Sequence, residues 1–275
     1  EKFNPDLIAV SVLESTYFLG LSLIEYIYDP RKKYFTLFGG VFATYAPEKI
    51  MKNKSVDFVC RGEGEDAILD LCKSICNSED FNSIPNLWVK TNGQLHTNIM
   101  RAPRDINTIP FPDWDMFEPE AIYRPMQGKV WRTIGIETQR GCPYTCAYCN
   151  SPTNNDVYKG ETSGNFYRKK SIERVREELD YLVKKYNPEL IFYVVDNFLA
   201  MGNRDFDEFK ELYLEYKIPF WMNTRAETIN EHKAEGLEEM NMLRVNIGIE
   251  HGNHEYRKSY LKRNISNEKM IECFN

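Results

Sequence analysis

Short apolar runs alternate with amphipathic helical stretches twice along this chain, and that alternation restricts the fold to parallel α/β sheets. In the first series, residues 6–13 read as a strand buried on both faces. A helical stretch over 19–28 follows. Strands at 34–40 and 56–60 come next, with helices around 47–52 and from 65 through 75. The βαβαβα order predicts a doubly wound, Rossmann-like sheet over 1–80. Three strands are few for that architecture, and Glu1 lies about one turn before a strand. This domain is therefore expected to be incomplete at its amino end.

Between 81 and 128 the pattern changes. Two short runs, 87–90 and 95–98, flank Asn92-Gly93 and predict a small hairpin. Pro103, Pro110, Pro112, Pro119 and Pro125 exclude long regular elements, so the stretch reads as a connector whose Trp114 packs onto a neighbouring domain. A second βα series occupies 129–275, with strands at 133–139, 190–195, 220–223 and 244–249. Helices are expected at 171–186, 206–216, 230–240 and 254–261. Such repetition predicts part of a parallel βα barrel, expected to be incomplete at its carboxyl end.

Three cysteines, Cys142, Cys146 and Cys149, crowd the loop after the first strand of that series. The spacing gives three thiolates and no evident fourth ligand, whereas structural zinc takes four. An iron–sulfur cubane held at three corners keeps one iron open. The same spacing would also line one face of a buried helix. Gly141 and Pro143 argue for a loop, and residues 150–155 read as turn chemistry with no helical continuation.

The Cys142, Cys146, Cys149 loop, with Tyr148 just before its last cysteine, resembles the signature of the radical S-adenosylmethionine (SAM) enzymes. The resemblance implies a [4Fe–4S] cluster on the three thiolates, SAM chelated at the open iron, and reductive cleavage of SAM to a 5′-deoxyadenosyl radical. It implies that Tyr148 borders the adenine. It also implies a core resembling a partial (β/α)6 barrel and an electron donor such as flavodoxin or ferredoxin.

Functional residues of βα barrels gather at the carboxyl ends of the strands. Here those ends carry Gln139-Arg140, Asp196-Asn197, Arg225 and Glu250-His251. SAM presents a carboxylate, an amine and a ribose diol, so its site needs an Arg fork or backbone donors and an acceptor. Arg225 and Glu250 supply those types and match family positions for SAM contacts; Asp196 is a third candidate. The alternatives are an ion pair of Arg225 with Glu227, a structural role for Glu250, a helix cap for Asp196, and an ordinary histidine at His251. No catalytic residue is assigned.

In the first domain, Ser11 and Leu13 end one strand, Gly39-Gly40 the next, and Gly62-Glu63-Gly64-Glu65 follows the third. Upstream of such a cysteine loop, this arrangement resembles the cobalamin-binding domain of cobalamin-dependent radical SAM enzymes. The resemblance places Ser11, Leu13, Gly39 and Gly40 along the nucleotide tail of cobalamin. The Asp-x-His-x-x-Gly motif that ligates cobalt in many such domains is not in the sequence. The expected reaction is methyl transfer to an unactivated carbon of a small organic substrate. The alternatives are a radical SAM reaction of another type, such as ring formation, oxidation or methylthiolation, and a non-catalytic iron–sulfur protein.

Composition bounds these readings. A formal charge of −6 without basic runs speaks against a nucleic-acid partner. No apolar stretch approaches the ~18 residues of a membrane span. Seven cysteines, an odd number with three in one loop, suit a reducing cytoplasm better than a disulfide framework. Cys60, Cys72, Cys76 and Cys273 read as ordinary buried thiols.

Overall fold

The computed structural model describes residues 3–31 and 33–274. It divides into two compact units, Glu1–Pro103 with Tyr158–Gly164, and Arg104–Val157 with Asn165–Asn275.

The first unit runs β1 (Leu7–Ser11), α1 (Tyr17–Ile27), β2 (Phe35–Gly39), α2 (Val41–Tyr45), α3 (Pro47–Met51), β3 (Phe58–Cys60) and α4 (Glu65–Asn77). Its first three strands are parallel and adjacent in the order β1-β2-β3. The sheet is buried on both faces, which is why its strands are continuously apolar. Phe38 and Val59 join Ile24 and Ile50 on one side, while Leu37 and Phe58 join Leu71 on the other. The hairpin forms as β4 (Leu87–Thr91) and β5 (Gln94–Thr97). It does not belong to a connector. β4 pairs antiparallel with β3, Trp88 facing Val59, and extends the sheet to five strands. Two forces hold it there. Pairing satisfies the open edge of β3, and Leu87 and Val89 enter the core fully buried.

The second unit begins with short 3-10 turns across the proline-rich stretch, then β6 (Tyr123–Met126), β7 (Lys129–Ile136) and β8 (Gln139–Arg140). After the cysteine loop come α5 (Asn150–Glu161), β9 (Arg168–Lys169), α6 (Ile172–Tyr186), β10 (Leu190–Tyr193) and α7 (Asn203–Tyr213). The series closes with β11 (Phe220–Arg225), α8 (Glu231–Glu239), β12 (Met242–Gly248), α9 (His254–Ser259) and α10 (Asn267–Glu272). The sheet order is β12-β11-β10-β7-β6; all neighbours are parallel except β6, which runs antiparallel to β7. An aromatic core of Tyr193, Phe198, Phe209, Tyr213 and Phe220 fastens the helices to one face of this sheet. Each such ring contributes roughly 1.5–3 kcal/mol by burial. Trp114 packs against this same core, with its amide donating to the Tyr186 hydroxyl at 3.1 Å.

Two local expectations need correction. Residues 150–161 form α5, not a turn. Pro152 sits in its first turn, where the amide it lacks would have no intrahelical partner. Cys76 is exposed, and Cys72 and Cys273 are only half-buried, so Cys60 alone of those four lies in a core. Among the described residues no helix is long and apolar enough to cross a membrane.

Candidate functional site

The cysteine loop leaves the carboxyl end of β7 and β8 in an irregular path, with Gly141 at φ +82°. Cys142 and Cys146 are buried and Cys149 is half-buried. The loop is fastened by amides: Ala147 donates to Leu261 O at 3.1 Å and Cys149 to Cys146 O at 3.2 Å. Burial is the largest influence on the Cys142 thiol and pushes it up. Among the described residues no three His, Cys, Asp or Glu side chains converge as a site for one ion. A cubane takes one thiolate per iron, so its ligands do not meet at a point.

The sulfurs are met by N–H donors, the environment a thiolate-bound cluster requires. Ser151 N lies 3.5 Å from Cys149 Sγ, and Arg225 Nη1 lies 2.7 Å from Cys146 Sγ. β11 delivers Arg225 to this point at its carboxyl end, opposite Gly248 of β12. The guanidinium stacks 3.8 Å over the ring of Tyr144, a loop residue. Its other edge grips Glu227, with Nε donating to Oε1 at 2.8 Å. The Arg225–Glu227 pair therefore forms.

Behind it stands Arg263, a residue that no motif singled out. Its side chain is 1% exposed and donates to Glu227 Oε2 at 3.1 Å, Glu250 Oε1 at 3.0 Å and Gly248 O at 3.0 Å. Its Nη1 also lies 3.4 Å from the Tyr148 hydroxyl. Two guanidinium groups and two carboxylates thus alternate away from Cys146, with no net charge. Burial would push the Glu227 carboxyl up, but Arg225 and Arg263 outweigh it and hold it below the usual range. Burial, and next the hydrogen bond to Glu250, push the Tyr148 phenol up and keep it neutral. Glu250 reaches Arg263 from a left-handed backbone at φ +66°, uncommon for a residue with a side chain. A Cβ at Gly248 would collide with Glu250 Oε1 and stand 3.1 Å from Arg263 Nη1. The glycine makes room for the ion pair.

Asp196 lies at the mouth of the neighbouring strand and accepts from Ser151 Oγ at 3.1 Å. A cavity of about 390 Å³ opens beside it, lined among others by Glu137, Asn150, Phe192, Val194 and Asn223. His251 caps the amide of Asn253 at 3.0 Å and stacks on Tyr256, an ordinary local use. The structure thus brings Cys146, Tyr148, Arg225 and Glu250 into one network, with Cys142 and Cys149 in its loop.

In the first unit, Ser11 and Gly39 face each other across β1 and β2. Gly40 follows at φ +88°, and a Cβ there would stand 2.8 Å from both Ser11 Oγ and Val12 O. Close packing of the two strand ends accounts for that glycine. Gly39 has open space instead, its nearest neighbour being Cys60 Cβ at 4.0 Å. Leu13 is 53% exposed beside it. This sheet end presents the Ser11 hydroxyl, the exposed Leu13 side chain and space at the Gly39 Cα, the kinds of group a ligand tail would contact.

Residues 136–275 match the family profile of the Radical SAM superfamily, and residues 1–71 match that of the B12 binding domain. Among curated proteins the chain is similar to "Uncharacterized methyltransferase PH0819" of Pyrococcus horikoshii, 27% identical over 253 residues. That match covers 91% of this chain and 52% of the relative. Among solved structures it is similar to the cobalamin-dependent S-adenosylmethionine radical enzyme OxsB with aqua-cobalamin and S-adenosylmethionine bound. There the TM-score is 0.71 at 21% identity, covering 98% of this chain and 39% of that one. It also resembles the radical S-adenosylmethionine methyltransferase TsrM from Kitasatospora setae with cobalamin and a [4Fe–4S] cluster bound. The TM-score is 0.66 at 20% identity, over 98% of this chain and 54% of TsrM. The chain spans about half the length of these relatives or less, and both structures share its α/β fold. The chain belongs to the radical SAM superfamily, with a B12 binding domain ahead of the part that bears the three cysteines.

Proposed function

We propose that this chain is the cofactor-bearing part of a cobalamin-dependent radical SAM enzyme that transfers a methyl group to an unactivated carbon of a small organic substrate. One observation carries the reading. A single polypeptide joins a B12-binding match to a strand-mouth loop of three thiols, one of whose sulfurs faces a guanidinium. On this reading the first unit is a Rossmann-like cobalamin domain and the second is part of a (β/α)6 barrel.

Cys142, Cys146 and Cys149 hold the [4Fe–4S] cluster. When bound, the cluster and cobalamin supply the electron for SAM cleavage and the carrier for the methyl group. The protein's own residues do the placing. Arg225 holds Cys146 and Glu227 with three of its five N–H groups and keeps two for the SAM carboxylate. Glu250 and Asp196 are acceptors for the SAM amine or hydroxyls, and Tyr148, neutral and half-exposed, borders the adenine. Ser11, Leu13, Gly39 and Gly40 line the cobalamin tail. A small flavodoxin- or ferredoxin-like protein delivers the electron, and the setting is cytoplasmic.

The test is an anaerobic reconstitution with iron, sulfide and cobalamin, followed by reduction in the presence of SAM carrying a labelled methyl group. We expect 5′-deoxyadenosine and label in the cobalamin fraction. Zinc in place of iron and sulfide, or no 5′-deoxyadenosine, would sink the radical reading. Deoxyadenosine without labelled cobalamin would remove methyl transfer and leave a radical SAM reaction of another type.

A further inference from the structure

The helix-covered face of the second sheet takes Ile191, Tyr193, Phe220 and Met222 into the core, with Val245 packed against it. Strand alternation turns Phe192, Val194, Trp221, Asn223, Arg244 and Asn246 to the opposite face. Register arranges that face in rungs: Arg225 opposite Gly248, Asn223 opposite Asn246, and Trp221 opposite Arg244. The first rung belongs to the cysteine site. On the second, Asn246 Nδ2 donates to Asn223 Oδ1 at 2.9 Å. On the third, the rings of Phe192 and Trp221 stack at 4.2 Å, and the Arg244 guanidinium lies 4.9 Å from the Trp221 ring.

Charge on this face is balanced almost everywhere. Glu137 pairs with Arg140 at 2.9 Å, Arg225 with Glu227, and Arg263 with Glu250 at 3.0 Å. Arg244 is different. Its Nε donates to Asn246 Oδ1 at 3.2 Å, but among the described residues no carboxylate pairs with it and its two Nη groups meet no protein acceptor. The indole below and the amide beside it fix the guanidinium plane. A half-buried, immobilised fork with four free N–H groups is preorganised for two oxygens of one anion.

We infer that the substrate carries a carboxylate or phosphate, and that Arg244 receives it while the Phe192–Trp221 stack packs against the carbon skeleton. This rests on the proposed reaction at the same site. The rung of Arg244 lies four strand residues below that of Arg225, about 13 Å at ~3.3 Å per residue. The anionic group and the reacting carbon therefore stand at opposite ends of the substrate. A cavity of about 390 Å³ opens on the same face, with Phe192 and Asn223 in its lining, and is large enough for a small organic molecule.

The probes are benzoate and phenyl phosphate, against benzamide as the neutral isostere, titrated into the full chain by calorimetry or ligand-observed NMR. Both anions are expected to bind at least about tenfold tighter than benzamide, and Arg244→Gln to abolish that preference. Arg244→Lys keeps charge without the fork and is expected to weaken both anions about fivefold while retaining the preference. Equal binding of benzoate and benzamide would overturn the inference. So would an anion preference surviving in Arg244→Gln, or an Arg244→Lys chain indistinguishable from the parent. Binding needs neither cluster nor SAM, so loss of the radical reaction and loss of the anion site are separate results.

Discussion

Arg225 Nη1 stands 2.7 Å from Cys146 Sγ, across 79 positions of sequence. The contact ties the mouth of β11 to the cysteine loop and places a positive charge on a sulfur that the proposed function makes a cluster ligand. Hydrogen bonds and cations at ligand sulfurs raise a cluster's potential. Arg225→Gln is expected to lower the midpoint potential of the reconstituted cluster by tens of millivolts, on the order of known outer-shell effects, with iron content kept. A redox titration followed by electron paramagnetic resonance checks this; an unchanged midpoint would show that the contact does not tune the cluster.

Replacing any one of Cys142, Cys146 and Cys149 with Ala is expected to cost most of the bound iron and sulfide. Cys72→Ala and Cys76→Ala should not, since both lie on α4 of the first unit and outside the three-cysteine motif. Iron and sulfide assays after anaerobic reconstitution decide the matter. Equal loss in the α4 variants would mean that the three-cysteine assignment is wrong.

Arg263 is the buried cation between Glu227 and Glu250. Arg263→Met leaves two carboxylates facing each other without it. The expected loss is about 3–5 kcal/mol in urea unfolding, the range for breaking a buried pair from one side. Adding Glu250→Gln should restore part of it. A loss under about 1 kcal/mol would mean that the pair is solvated in solution.

The same network predicts a pH dependence. Glu227 is held below its ordinary value, so its contribution to stability is present above the unfolded carboxylate range and fades as pH falls through the folded value. The stability gap between the parent and Glu227→Gln should therefore be largest near neutral pH and shrink below about pH 4. Chemical unfolding at several pH values measures it. A gap that stays constant would rule out the charged pair as its source.

Gly40 and Gly93 both have left-handed backbone, at φ +88° and +78°, but only Gly40 faces close neighbours. Gly93→Ala is expected to cost about 1 kcal/mol from backbone strain alone, and Gly40→Ala about 1–3 kcal/mol more from contact with Val12 and Ser11. Thermal unfolding of the two variants separates the terms. Equal shifts would show that the β1–β2 end is looser than its distances indicate.

Alternating apolar runs and helices named both βα series; in the first, strands buried on two faces leave an unbroken apolar signal that no surface requirement disguises. The spacing of Cys142, Cys146 and Cys149 pointed to the candidate site for a related reason: three thiols on one loop are local, and local chemistry survives in sequence. What lay beyond reach was long-range pairing. The hairpin at Leu87–Thr91 and Gln94–Thr97 was legible, but its place on the edge of β3 depended on which edge was open. Residues 150–155 carry turn-formers, yet their helix follows from the position of Pro152 in a first turn. Arg263 sits in a loop without periodicity or motif, and Arg244 reads as any strand arginine. Glu227 and Glu250 follow the ends of two different strands, and Trp221 lies on the strand beside Arg244. Only the folded sheet therefore decided that Arg263 meets two carboxylates and that Arg244, among the described residues, pairs with none.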